Sequence, residues 1–560
     1  MQSSLDLRLL APGLAVAPQI EPADIVALHQ AGYRAIVCNR PDGEAADQPL
    51  FAEIAKPARE LGLQAHYLPA ESGKVSDAQG DAFGALFDSL PKPVLAYCRS
   101  GMRSTTMWAL SQAHRLSLPD IVTAAGQAGY DMQGVVRRIV NQGRTPLEVA
   151  EAEHCVVIVG AGAAGVATAA SLLARYPELD VALIDPAEVH YYQPGWTLVG
   201  AGVFAPASTA RTMAATIPRG AHWIKAAVAA FEPERNAVIL DGCRVVRYQQ
   251  LVVCPGIKLD WQAIPGLAES LGRQGVTSNY LYHLAPYTWQ QVQKLRGGSA
   301  IFTQPAMPFK CAGAPQKAMY LAADHWRRSG LLERMRIDFY SAAPVLFGVP
   351  EYVPALMDYV MAYDIDLHFG HTLCAVDGPR KRASFSRVLP DGSKEILERD
   401  YELLHVVPPQ VAPDFIRVSP LADAAGWVDI DPSSLRHRRY ANIHGLGDAG
   451  NSANAKTAAA ARKQAPVVAH NVLAALGLLD GAAQYDGYGA CPLTVARGKV
   501  VLAEFTYGGK LAPNLPSWLI DGTRPSRLAW LLKARMLPAL YWQGMLKGRE
   551  WLATPELSER

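Results

Sequence analysis

A strand that runs straight into a glycine-rich turn and out into a helix limits what this chain can fold into more than any other feature. Residues 155–165 read CVVIVGAGAAG, and the helical pattern VATAASLLARY follows. Gly160 permits the tight turn, Gly162 lets the backbone approach a pyrophosphate, and Gly165 allows the helix to pack on the strand. The amides of the helix start, with Ala163 among them, are placed to hold phosphate. Alone, a GxGxxG run is weak evidence. Here a second strand, LDVALID, ends at Asp185, twenty residues beyond Gly165, where a carboxylate takes the adenosine ribose hydroxyls. Together they predict a dinucleotide-binding α/β fold from residue 154 onward.

A later segment narrows the choice of dinucleotide. ANIHGLGDAGN supplies a strand and then Gly447 and Asp448, and the small-residue helix KTAAAARKQAPVVAHNVL follows. In proteins with two dinucleotide folds that bind FAD, such a Gly-Asp pair reaches the ribityl chain, so the resemblance points to a flavin. The plainer alternative is a strand-turn-helix with a capping Asp. A second fold that binds NAD(P)H would repeat the glycine fingerprint near residue 300. There the strand AIFT runs instead into Gln304 and Pro305, so electrons are expected to enter and leave by chemistry other than nicotinamide.

At 560 residues the chain is too long for one ordinary core, since single cores stop growing near roughly 300 residues. The first stretch alternates strand and helix: Ile25 to Gln30 helical, RAIVCN extended, FAEIAKPARELG helical, AHYLP extended, DAFGALFDSL helical and PVLAYC extended. This predicts an N-terminal α/β domain over 1–120 and a connecting segment over 121–153, which includes the polar run NQGRTP. A flavoprotein unit over 154–520 and an amphipathic tail over 521–560 complete the expected order. With 53 basic against 51 acidic side chains the chain has no nucleic-acid footprint. Its eight cysteines, at 38, 98, 155, 243, 254, 311, 374 and 491, show no CxxC pair or His spacing, so neither zinc nor a disulfide framework is indicated and a reducing compartment fits. Asp6 and Arg8 interrupt the apolar run that a signal peptide needs, and no stretch of 18 or more apolar residues appears.

The stretches VVIVGAGAAGVATAASL, HYYQPGWTLVGAG, KCAGAPQKAMYLAADHWR, ADAAGWVDID, LRHRRYANIHGLGDA, KTAAAA and YDGYGACPLTVARGKVVLAEF resemble the sulfide:quinone oxidoreductase family, particularly its mitochondrial-type branch. They follow the family's order from about 155 to 550. The resemblance implies FAD, a sulfide or persulfide substrate and a quinone acceptor. It assigns Cys311 as a redox cysteine facing the flavin, puts Lys456 near the acceptor pocket, and brings Pro194 against the isoalloxazine. Tyr485, Tyr541 and Trp542 are candidate walls of that pocket, ordinary aromatic packing being the alternative. Physical reasoning agrees for Cys311: Lys310 precedes it and the helix APQKAMYLAADHW follows, so positive potential favours the thiolate. The family carries a second cysteine directly after the Gly-Asp pair, where this chain has Ala449. Cys254, Cys374 and Cys491 are possible substitutes, each otherwise a small buried apolar residue. Failing these, Cys311 alone would take sulfur as a persulfide, or hold a flavin adduct, while a separate small thiol carried sulfur away.

The segment VLAYCRSGMRSTT runs from a buried strand into Cys98, with Gly101, Arg103 and a helix after it. Backbone amides of such a loop form an anion nest around the thiolate, and Arg103 closes it with a cationic fork. Four residues separate Cys98 from Arg103, giving Cys-x-x-Gly-x-Arg, the spacing of rhodanese sulfurtransferases; protein tyrosine phosphatases have five. The flanks CNRPDGE and HYLPAESGKVSDAQ resemble instead the phosphatase-like domain of the beta-lactamase hydrolase-like family, over about residues 5–115. Sulfur transfer through Cys98 is the favoured expectation. A phosphatase would need a general acid, for which Asp42 is a candidate, or else a turn residue.

The tail SRLAWLLKARMLPALYWQGMLKGREWL mixes Leu, Trp, Met and Tyr with Lys and Arg, and has only Glu550 as an acid. It reads as a stretch that lies in a membrane interface, broken in two by Pro538; packing on the protein's own core is the alternative. The expected location is cytoplasmic, peripherally attached to the inner face of the cell membrane.

Overall fold

The computed structural model describes residues 5–113, 115–132, 135, 138–139, 150–241 and 244–558. The polar run NQGRTP and Cys243 lie outside them. The chain divides into two compact units, one of Met1–Glu153, Val228–Arg247 and Asp414–Pro420, the other of His154–Ala227, Tyr248–Pro413 and Leu421–Arg560.

In the first unit, β1 (Arg8–Ala11), β2 (Leu14–Ala17), β3 (Ala35–Cys38), β4 (Gln64–Tyr67) and β5 (Val94–Tyr97) form a sheet in the order β1-β2-β5-β3-β4. Only the β1–β2 pair is antiparallel; β2–β5, β5–β3 and β3–β4 are parallel. The central strand β5 is buried along its whole length, as a parallel strand covered on both faces must be. Helices α1 (Asp24–Gln30), α2 (Phe51–Glu60), α3 (Asp77–Ser89), α4 (Met102–Ser111) and α5 (Leu118–Gln127) complete the unit. Helix α5 falls where a connecting segment was expected to begin. Its Leu118, Ile121 and Ala125 are buried in the same core as Val94, Met107 and Trp108, so this stretch is domain rather than linker.

The second unit opens with β6 (Ala152–Val159), the glycine loop and α6 (Ala163–Arg175), then β7 (Val181–Ile184), β8 (Val189–Tyr191), β9 (Ala221–Ile224) and β10 (Val245–Val253). Strands run in the order β9-β7-β6-β10, with β9, β7 and β6 parallel. A second parallel sheet contains β11 (Val276–Thr277), β12 (Gly298–Gln304), β13 (Met335–Ser341), β14 (Ile365–Phe369) and β15 (Leu403–His405) in the order β11-β15-β12-β13-β14. Helix α7 (Ala314–Arg328) follows its central strand β12, joined by the loop that contains Cys311. Strand β16 (Ile443–Gly445) returns to the first sheet beside β10 and leads to α8 (Ala458–Ala475). The antiparallel pair β17 (Gly489–Ala496) and β18 (Lys499–Phe505) follows. Residues 154–475 therefore hold two parallel-sheet folds, the second inserted between β10 and β16.

The tail is helical without interruption from Arg527 to Lys547. Pro538 does not break it, because wide π turns over Leu532–Met536 and Leu540–Gly544 flank the proline. Such turns shift the hydrogen-bond ladder and accommodate the missing N–H. One side buries Ala529, Lys533, Tyr541, Trp542, Met545 and Leu546, while Leu528, Leu531 and Met536 stay exposed. Among the described residues no helix is long and apolar enough to cross a membrane.

Candidate active site

The glycine loop has the geometry that a pyrophosphate needs. Gly160 has φ +98, where an added Cβ would lie 2.6 Å from the Cys254 carbonyl oxygen, and a Cβ on Gly165 would lie 1.8 Å from the Gly160 carbonyl oxygen. At Gly162 an added Cβ would meet nothing within 4 Å. The two tight glycines let α6 sit against β6, and the open one leaves the backbone approachable. Asp185, at the end of β7, accepts hydrogen bonds from the Ala161 N–H at 2.7 Å and the Ala187 N–H at 2.8 Å. Its carboxylate thus stands beside the loop. Gly447 (φ +68) lies with its Cβ position 3.2 Å from the Ala164 side chain, so the Gly447-Asp448 turn faces the start of α6. These residues fit an extended dinucleotide such as FAD.

Cys311 lies on the loop from β12 to α7, at the carboxyl end of a central parallel strand, and holds a left-handed backbone conformation with φ +53. Its N–H donates to the Lys456 carbonyl at 2.8 Å and its carbonyl accepts from the Ala314 N–H at 2.7 Å. The Lys456 ammonium in turn donates to the carbonyls of Asp448 at 2.8 Å and Gly450 at 2.7 Å. This links the cysteine loop to the Gly-Asp turn 137 residues later in sequence. Burial pulls Lys456 down to about 8 and pushes the Asp448 carboxyl up. Gln193, the neighbour of the exposed Pro194, accepts from the Lys310 ammonium at 2.7 Å. Pro194, Cys311, Asp448 and Lys456 are therefore brought to one region.

The cation on the thiol is not Lys310, whose ammonium is engaged by Gln193. It is Lys317, one turn into α7, whose Nζ lies 3.2 Å from the Cys311 Sγ. Three residues past the start of the helix, its side chain reaches back toward the loop. Of the three candidate substitutes for a second cysteine, the structure brings Cys491 to this site: its Sγ on β17 stands 3.9 Å from the Cys311 Sγ. The Cys491 thiol donating to it holds the Cys311 thiol well below its usual range, against burial and with help from Lys317 and Lys533. Cys491 is correspondingly pushed up. Burial, with Lys317 beside it, brings Lys533 down to about 7.

The other candidate cysteines stand elsewhere. The Cys254 thiol lies 3.6 Å from the Gly160 carbonyl, packed behind the glycine loop, and the Cys374 thiol donates to the Ser384 carbonyl at 3.2 Å. Burial raises both. Ala449 is fully buried in the turn after Asp448. The aromatic candidates separate too. Tyr541 and Trp542 cluster with His190 and Tyr192, the Tyr541 hydroxyl lying 2.6 Å from the His190 Nε2. Tyr485 instead packs against Tyr507 and donates to the Tyr488 carbonyl.

In the first unit Cys98 is fully buried at the end of β5. The Gly101 N–H points at its Sγ from 3.1 Å. Gly101 has φ +88, and a Cβ there would fall 2.0 Å from the Tyr130 hydroxyl oxygen. Arg103 interacts with Cys98, and its guanidinium is engaged by other groups as well. It grips both carboxylate oxygens of Glu44 at 2.7 and 2.8 Å and donates to the Ala70 carbonyl at 2.8 Å. The Glu44 carboxyl also accepts from Arg40 and is held below its usual range, chiefly by Arg103. Asp42 accepts from the Phe51 N–H at 2.8 Å, so it caps α2.

Residues 6–115 match the family described as beta-lactamase hydrolase-like protein, phosphatase-like domain, and residues 154–293 match pyridine nucleotide-disulphide oxidoreductase. A mitochondrial sulfide:quinone oxidoreductase of Dictyostelium discoideum is 37% identical over 80% of this chain and 96% of its own length. The solved sulfide:quinone oxidoreductase of Aquifex aeolicus shares the fold, with a TM-score of 0.59 at 16% identity over 71% of this chain and 92% of that one. A beta-lactamase hydrolase-like protein of Agrobacterium fabrum is 28% identical over 23% of this chain and 30% of its own length.

Proposed function

This chain belongs to the sulfide:quinone oxidoreductase family, and from that premise we propose that it oxidises sulfide, or a persulfide, and delivers the electrons to a quinone. The observation that carries the proposal is the half-buried Cys311 sulfur with the Lys317 ammonium 3.2 Å away, on the loop where a nicotinamide-binding fold would carry its glycines. A thiolate so placed is a nucleophile toward sulfur. FAD, when bound, supplies the two-electron acceptor between the sulfur and the quinone. Gly160, Gly162, Ala163 and Gly165 would hold its pyrophosphate, Asp185 its adenosine ribose, and Gly447 and Asp448 its ribityl chain, with Pro194 against the ring and Lys456 on the acceptor side. Anaerobic sulfide is expected to bleach the flavin absorbance, and a quinone to restore it. Bleaching of a Cys311→Ser variant at the wild-type rate would refute the assignment.

For the first unit we favour sulfur transfer: Cys98 takes sulfane sulfur as a persulfide, from the flavoprotein site or from a small thiol carrier. The four-residue spacing to Arg103 supports this reading. A second reading, phosphate-ester hydrolysis, rests on the phosphatase-like family match. The exposed Leu528, Leu531 and Met536, set among Lys and Arg, support peripheral attachment of the tail to the inner face of the cell membrane.

A further inference from the structure

We infer that Cys491 is the second redox cysteine of this protein, the partner of Cys311 in a sulfur bridge. The inference rests on the proposed sulfide oxidation and names a residue for it. Three observations converge on it. The two Sγ atoms are 3.9 Å apart, across 180 residues of sequence. Gly313, between Cys311 and α7, has no side chain, and a Cβ there would lie 2.5 Å from the Cys491 Sγ and 2.3 Å from Leu493 Cδ2. The absence of that one carbon is what allows β17 to bring its thiol against the loop. Lys317 lies beside Cys311 and interacts with both sulfurs, so the charge released when a bridge opens has a fixed counterion.

The gap suits covalent chemistry. A disulfide is about 2.05 Å long, and two such bonds meeting at a bent sulfur span roughly 3.3 Å. A direct bond needs side-chain rotation, and a one-sulfur bridge needs little movement. In the cycle the Cys311–Cys491 bond is attacked at Cys491 by HS⁻. That bond breaks, a new sulfur–sulfur bond leaves Cys491 as a persulfide, and Cys311 departs as the thiolate because the more acidic thiol is the better leaving group. A small thiol then takes the outer sulfur, and Cys491 recovers its thiol. The pair closes again with loss of two electrons and two protons, which reach the quinone through FAD. In sum, hydrogen sulfide, a thiol and a quinone become a persulfide and a quinol.

The test maps sulfur links in the full-length, FAD-loaded protein. After oxidation with quinone, and in a parallel sample with a small disulfide as oxidant, free thiols are alkylated and the chain is digested without reductant. The expected product is one peptide pair joining Cys311 to Cys491, directly or through one added sulfur. Sulfide should open it and leave persulfide mass on Cys491. A Cys491→Ser variant that retains FAD should lose the link and fall to the turnover of Cys311→Ser. A Cys311 that stays unlinked or pairs elsewhere would overturn the inference, as would wild-type turnover by Cys491→Ser. The wild-type map does not depend on the variant folding. Should the wild-type protein fail to reduce quinone with sulfide, the function reading fails while the map still decides the pairing.

Discussion

At Cys311 burial alone would keep the sulfur protonated, since loss of water penalises the charged form. The neighbouring thiol and two ammonium groups reverse that balance. Replacing Lys317 with Met removes the closer cation, so the Cys311 pKa should rise. The pH at which iodoacetamide alkylation reaches half its maximal rate should move up, and at pH below the pKa of both proteins the rate should fall about tenfold for each unit of rise. An unchanged rate would mean that Cys491 and Lys533 suffice. Lys533 permits a test with a definite sign. Its folded value of about 7 lies below the 10.5 of an exposed lysine. The unfolded chain therefore binds more protons between those values, stability rises with pH across that window, and the full cost stands below about 7. Lys533→Met should be the more stable protein near pH 6, by on the order of a few kcal/mol, with the difference shrinking toward pH 10. Urea midpoints at the two ends measure it. The sequence offered Cys491 as one of three possible partners but held nothing to choose it over Cys254 and Cys374. Cys311 stood out through its motif, but a cysteine 180 residues away looks like any buried cysteine until β17 is placed. Lys310 drew notice as the adjacent residue, although adjacent side chains on a loop need not point the same way.

Elements whose information is contiguous were the ones sequence reasoning could reach. Strand β6, the glycine loop and α6 follow one another within 24 residues, Ala152 to Arg175, and the steric demands on Gly160 and Gly165 are local. Strands β1 and β2 were not read: they are as short as β3 to β5 but lie outside the strand-helix alternation that marked those three. Helix α5 was hidden by its nearness to a polar run. The tail shows why a proline is an uncertain stop signal: π turns on both sides let the helix continue. That continuity puts Leu528, Leu531 and Met536 on the exposed side of one rigid element, each more than 40% exposed. Changing all three to Glu removes the apolar contact while leaving the buried side intact. Cosedimentation with anionic vesicles should be lost and FAD content kept. Unchanged cosedimentation would return the tail to an ordinary packed helix with a few exposed apolar side chains.

At the scale of the whole chain, two units with separate cores each carry a cysteine at the carboxyl end of a central parallel strand, Cys98 after β5 and Cys311 after β12. The electrostatic settings differ. Cys311 has a lysine in direct contact, whereas Arg103, which interacts with Cys98, also holds the Glu44 carboxylate. An anion entering the Cys98 loop must compete with Glu44 for Arg103 or be held by backbone amides, which disfavours a phosphate ester whose oxygens need the guanidinium fork, while sulfur transfer needs only attack of the thiolate on the donor's sulfur. The full-length protein should therefore transfer sulfur from thiosulfate to cyanide and hydrolyse p-nitrophenyl phosphate poorly. Cys98→Ser should abolish that transfer and spare sulfide-driven quinone reduction assayed with a small thiol acceptor. Cys311→Ser should do the reverse. Glu44→Gln, which weakens the grip on Arg103, should raise phosphate-ester turnover relative to sulfur transfer. Were wild-type protein instead to hydrolyse the ester and ignore thiosulfate, Glu44 would be holding Arg103 in place for phosphate chemistry, and the first unit would be a phosphatase in activity as well as in fold.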